Sequence, residues 1–160
     1  MKKLSFVALT VMMSAFVGAA AHADSVTAEQ KIEVVKTDTQ ADGSVVVSYE
    51  PATRVVPGEQ LRYTISYDNG TAQPAEDIVL TMPIEDQLVY VEGSAAAPNA
   101  MVLFSADDGV SFRPRNELTV TVDGEVRAAK ADDITHVSWR FDEPLAAGAA
   151  GEVSLLAKLK

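Results

Sequence analysis

The stretch Leu61-Arg62-Tyr63-Thr64-Ile65-Ser66-Tyr67 alternates large and polar side chains without a break. In an extended strand successive side chains point to opposite faces, so the four large residues share one side and the three polar ones the other. A helix would scatter them around its circumference. The same period of two runs through Ile78, Leu80 and Met82, through Leu118, Val120 and Val122, through Val137, Trp139 and Phe141, and through Val153, Leu155, Ala157 and Leu159. Less regular apolar stretches at 32–35, 45–49, 88–91 and 101–104 bring the expected total to about nine short strands.

Turn chemistry separates these strands. Asp42-Gly43, Pro57-Gly58, Asp68-Asn69-Gly70, Asp108-Gly109, Asp123-Gly124 and Ala147-Gly148 either tolerate positive φ or preset a turn. Short strands at this spacing predict an all-β fold, an antiparallel β-sandwich of seven to nine strands over residues 31–160. Residues 24–30 read as a flexible leader. The small-residue loop Ser94 to Asn99 and the segment Ala128 to Asp133, with room for one helical turn, read as connections.

Ahead of this domain, Lys2 and Lys3, the apolar run from Leu4 to about Val17 and the small residues ending Ala21-His22-Ala23 make up the three parts of a secretory signal peptide. Cleavage is expected after residue 23, because the run is too short to span a bilayer. No later stretch is long enough to cross a membrane. The mature chain is therefore expected to be periplasmic or secreted, with no membrane span after signal cleavage.

The whole chain carries a formal charge of -10, which becomes about -12 once Lys2 and Lys3 leave. Such an acidic surface repels phosphate backbones and anionic headgroups, so nucleic acid is excluded as a partner, and cations or basic partners fit better. There is no cysteine. Thiol catalysis and thiolate metal sites are excluded, and the core must hold the fold without disulfides.

From Pro57 to Ser94 the order of motifs is distinctive. Pro57-Gly58-Glu59 precedes Tyr63-Thr64-Ile65; Asp68-Asn69-Gly70 follows; an alternating strand ends at Met82-Pro83; and Tyr90-Val91-Glu92-Gly93-Ser94 closes the series. This resembles the DUF11 conserved-repeat family of bacterial exported proteins, and Trp139 with Pro144-Leu145-Ala146-Ala147-Gly148 matches the family's usual ending. The likeness covers about residues 31–160. It implies an immunoglobulin-like β-sandwich in envelope or surface proteins, with no assigned catalytic residues.

Ser105-Ala106-Asp107-Asp108-Gly109-Val110-Ser111-Phe112 is similar to the Asp-box of sialidase propellers, in which the aspartate satisfies turn amides and takes no part in catalysis. A structural hairpin is the expected role. The alternative is a calcium site on Asp107 and Asp108, because hard cations take carboxylate oxygens. Glu76 with Asp77, Glu85 with Asp86, and Asp132 with Asp133 read as solvated loop charge, since none has the loop spacing of a calcium-binding motif. Phe104 and Phe112, flanking the Asp-box-like turn, are the aromatic residues best placed for exposure on a glycan-binding platform; Tyr49, Tyr63, Tyr67, Tyr90, Trp139 and Phe141 read as core.

His22 leaves with the signal, so His136 is the one histidine of the mature chain. The alternation puts it on the face opposite Val137 and Trp139, as an ordinary strand residue. A Gly-x-Ser-x-Gly elbow is absent, as are phosphate-binding glycine loops, and no carboxylate pair stands out. These observations point away from an enzyme and toward a module that binds an envelope protein or a glycan, or assembles structure in the cell envelope. Unpaired edge strands of the sandwich offer one mode of interaction. A calcium- or carbohydrate-binding accessory domain using the end loops is the alternative, and no other cofactor is expected.

Overall fold

Where large side chains recur at every second position, two sheets can each turn one apolar face inward and cover it with the other. A computed structural model describes residues 26–95, 97 and 99–160 and has this arrangement. The expected signal peptide, residues 1–23, and the first leader residues, Asp24 and Ser25, lie outside the described residues.

One sheet has five strands in the order β2 (Val45–Pro51), β1 (Thr27–Thr39), β3 (Gln60–Asp68), β10 (Ala150–Leu159) and β5 (Leu88–Tyr90). The second has three, β4 (Val79–Pro83), β9 (His136–Phe141) and β6 (Ala100–Ser105). β7 (Thr119–Val122) and β8 (Glu125–Ala128) form a separate hairpin, and every pairing is antiparallel. The fold is therefore the all-β sandwich that the alternation predicts.

All nine expected strands form. The tenth, β8 (Glu125-Val126-Arg127-Ala128), alternates over only four residues, too few to mark a strand by themselves; it forms where Asp123 and Gly124 take φ of 54° and 83°, the paired positive values of a two-residue hairpin turn, and fold the chain back onto β7. Residues 24–30 require a correction. From Thr27 onward they are not a flexible leader but the start of β1, with Thr27 to Gln30 paired to Asp68 to Ile65 of β3. Backbone hydrogen bonds along a ladder need no apolar pattern, so this pairing leaves no mark in the side chains. The expected helical turn is a short 3-10 helix at Ala131–Asp133.

Registers show how the faces meet. In the five-stranded sheet, Leu155 lies beside Tyr63, Val153 beside Ile65, and Ala157 between Leu61 and Tyr90. In the three-stranded sheet, Trp139 lies between Leu80 and Val102, and Val137 between Met82 and Phe104. Trp139, Val137, Leu155 and Ala157 retain no exposed surface. The Tyr63 hydroxyl and Trp139 Nε1 have no hydrogen-bond partner among the described residues, and burial pushes the Tyr63 pKa up to about 12. An unpartnered polar atom costs about 1–3 kcal/mol. Burying about 150–250 Å² of aromatic surface at ~25 cal/mol per Å² contributes about 4–6 kcal/mol, so packing wins at both residues.

At one end of the sandwich Asn69, fully buried, ties two loops together. Its side-chain amide donates to the carbonyls of Gln73, Leu145 and Ala146 at 2.8–3.0 Å, and its Oδ1 accepts from the Thr71 hydroxyl at 2.7 Å. Its backbone N–H donates to the Ala149 carbonyl, and its own carbonyl accepts from the Gly148 N–H. The turn after β3 is thereby fastened to the turn between β9 and β10. Beside it, the Tyr67 ring lies across Gly151, where any Cβ would collide with the phenol.

Asn69→Ala removes the amide that three buried or half-buried carbonyls depend on, and it is expected to lower unfolding free energy by about 3 kcal/mol. Urea unfolding followed by fluorescence of the single tryptophan measures it; a loss below about 1 kcal/mol would show that the loops hold without this clamp.

Candidate functional site

β2 is the longest strand at a sheet edge among the described residues, and all seven of its residues are exposed. Val45, Val47 and Tyr49 are 59%, 50% and 44% exposed, and Val46 between them is 47% exposed. The β1–β2 hairpin turns through Asp42 and Gly43, with Gly43 at φ 84°, and Asp42 accepts from the Ser44 N–H and hydroxyl.

The ladder determines which backbone groups of β2 are free. Gln40 N–H donates to the Ser44 carbonyl and Ala52 N–H to the Ile32 carbonyl, so the hydrogen-bonded pairs are those in register with these two. Antiparallel pairs alternate, which turns the N–H and C=O groups of Val45, Val47 and Tyr49 away from β1 and into solvent. Pro51 then ends the row of donors, because it has no N–H. The Val45, Val47 and Tyr49 side chains lie on the outer face of the five-stranded sheet, in the row of Val35 and Arg62; the Arg62 guanidinium stands 4.7 Å from the Tyr49 ring centre and also pairs with Glu152.

Tyr49 is thus an outward residue, not a core one as its sequence suggests. Its strand reads Val45-Val46-Val47, apolar on both faces, and the period of two is silent about which face is covered. The other edges of the sandwich are shorter or partly occupied. Beyond β5, the Ser94 hydroxyl accepts from Leu156 N–H and donates to the Leu156 carbonyl, and β6 exchanges two backbone hydrogen bonds between Phe104 and Arg113.

The Asp-box-like segment forms the tight turn expected of it, with Asp108 and Gly109 at φ 56° and 81°. Asp107 Oδ1 accepts from the Ser105 hydroxyl at 2.6 Å and from Ser111 N–H at 2.9 Å, while Oδ2 accepts from the Ser111 hydroxyl at 2.6 Å. The Ser105 hydroxyl, fully buried, accepts in turn from Gly109 N–H. These bonds, led by the one from Ser105, hold the Asp107 pKa down at about 2. A cation at Asp107 would compete with these donors for its oxygens. Asp108 lies at the exposed tip, and among the described residues no three acidic or histidine side chains converge as metal ligands.

The remaining candidates have structural surroundings. Phe104 is 6% exposed and packs edge-on against Tyr90 at 5.4 Å, so it cannot serve in an exposed aromatic platform with the half-buried Phe112; the strand period places it beside Val137, facing the core. His136 begins β9 with its ring packed on Gly109, and burial lowers its pKa despite Asp108 and Asp107 nearby. Ser105 directs its hydroxyl to Asp107 and not to His136, so the three do not form an acyl-transfer relay. Asp133 is paired with Arg127 at 2.6 and 3.0 Å, which holds its pKa down at about 2. A shallow groove of about 230 Å³ runs beside the turn, lined in part by Ser111, Arg113, Thr119 and Thr121.

No protein-family model, curated protein or solved structure matches the chain.

Two measurements test the Asp107 turn. Its folded pKa lies below the ordinary 3.8, so the stability it supplies is complete above about pH 4 and is lost as pH falls toward 2. Asp107→Asn is expected to flatten the fall in melting temperature over that interval; an unchanged profile would remove Asp107 from the acid response. Excess calcium or excess chelator is expected to leave the melting midpoint of the wild-type protein where it was, and a rise with calcium that Asp107→Asn abolishes would support a cation at Asp107 and Asp108.

Proposed function

We propose that this chain is a non-enzymatic β-sandwich module of the bacterial cell envelope, periplasmic or secreted, that binds or assembles with an envelope protein through the open edge of β2. The observation that carries this reading is the outward row of unpaired backbone groups at Val45, Val47 and Tyr49, on a strand exposed along its whole length. An edge of this kind is a template for a further strand. The secretory signal at residues 1–23 and the resemblance to the DUF11 family support the location. The non-catalytic role is supported by a buried Ser105 and a packed His136, and by an Asp107 whose oxygens are committed to its own turn.

A photo-crosslinking residue at position 47, compared with one at Val126, tests this in the native host. Val126 is 71% exposed but lies on the separate hairpin, so it controls for mere accessibility. A discrete adduct from position 47 alone is expected, in a fraction where the chain begins at Asp24. Equal labelling from both positions would overturn the edge reading, and a chain retaining Met1 in the cytoplasm would overturn the location.

A further inference from the structure

The chemistry around β2 restricts what can dock there. Between the Asp42-Gly43 turn and Pro51, the outward amides span Val45 to Tyr49, a footprint of about five residues or ~17 Å of extended chain. On the outer face an added strand would run beside Val45, Val47 and Tyr49, and on the other face beside Ser44, Val46, Ser48 and Glu50. Its own side chains are therefore apolar along the first row and mostly polar along the second, where Ser44, Ser48 and Glu50 flank the single apolar residue Val46.

Charge then selects among such strands. The hairpin's lysine, Lys36, is taken by Glu59 at 2.6 Å. Asp38, Asp42 and Glu50 are exposed and in no ion pair among the described residues, as is Arg54 beyond Pro51; Glu50, which also feels the charge of Lys36, stands at one end of the second row, and Asp42 lies in the turn at the other. A second copy of this chain suits the edge poorly. Antiparallel pairing centred on Val47 would set Glu50 diagonal to the other copy's Asp42 at both ends of the contact, between two molecules that each carry a charge of about -12 once the signal has been cleaved.

We infer that the occupant of the β2 edge is an extended segment of a basic partner protein, with apolar residues at alternate positions and a Lys or Arg at each end, facing Glu50 and Asp42. This rests on the proposed edge-binding function and names the chemistry of its partner.

Two acetylated, amidated heptapeptides serve as probes, Lys-Val-Thr-Val-Thr-Val-Lys and the same sequence with Glu at both ends. Each is titrated into the ¹⁵N-labelled protein and followed through its backbone amides. The Lys peptide is expected to shift the Val45, Val47 and Tyr49 resonances and leave Val126 in place. The Glu peptide should bind roughly tenfold more weakly, and Glu50→Lys should shrink that difference. Val47→Pro should abolish binding while the rest of the spectrum stays native, since the Val47 N–H serves no ladder bond and edge strands tolerate proline. Val47→Lys, at an exposed side chain, should weaken the Lys peptide without a backbone change. Failure of both peptides to move the β2 amides would overturn edge docking itself. Equal binding of the two, or tighter binding of the Glu peptide, would overturn only the basic partner, as would self-association of the free protein through β2.

Discussion

The seam between the two sheets holds the fold without covalent help, because the chain has no cysteine to tie them together. Trp139 and Val137 on one side, and Leu155 and Ala157 on the other, have lost all contact with solvent. Removing apolar surface from water is non-directional, so it fixes which faces meet but says little about where the connecting loops go. Here the loops at one end are held by a different device. Asn69 directs its amide and its carbonyl oxygen into two separate turns, and the loss of water from those groups is made good by the bonds they form.

The same logic explains the Asp107 turn. A carboxylate that accepts from two serines of its own loop works as a rigid brace, and its lowered pKa follows from those donors. His136 closes the arrangement by packing on Gly109, a position where φ of 81° already favours glycine. Groups that would suggest chemistry in a list of residues are thus absorbed in holding a tip of the sandwich.

The β2 edge lacks comparable compensation. Natural sheets blunt their edges with short strands, inward charges, proline or covering loops. β5 is three residues long and continued by Ser94, β4 is five residues long, and β6 is met by Arg113. β2 has proline only at its end and a run of three valines in its middle. With Lys36 paired to Glu59, Asp38, Asp42 and Glu50 leave the hairpin with an excess of acid, which disfavours self-pairing and leaves room for a basic strand.

Strand positions, the faces of the central strands and most of the turns were legible in the sequence, because burial imposes a period of two on Leu61 to Tyr67 and its partners, and because Asp-Gly fits positive φ, as at Asp108-Gly109 and Asp123-Gly124. The Asp107 hairpin could be read from its local motif for the same reason. Pairing across distance could not be read. Thr27 to Gln30 join β3 through backbone groups that every residue carries, and the burial of Asn69 depends on carbonyls 76 and 77 positions away. Tyr49 and Phe104 show the limit most plainly. Both sit in apolar stretches, yet one faces solvent and the other the core. Sequence determined that these segments would be strands; only the tertiary structure decided which strand lies at an edge, because that depends on which backbone hydrogen bonds find a partner and which do not.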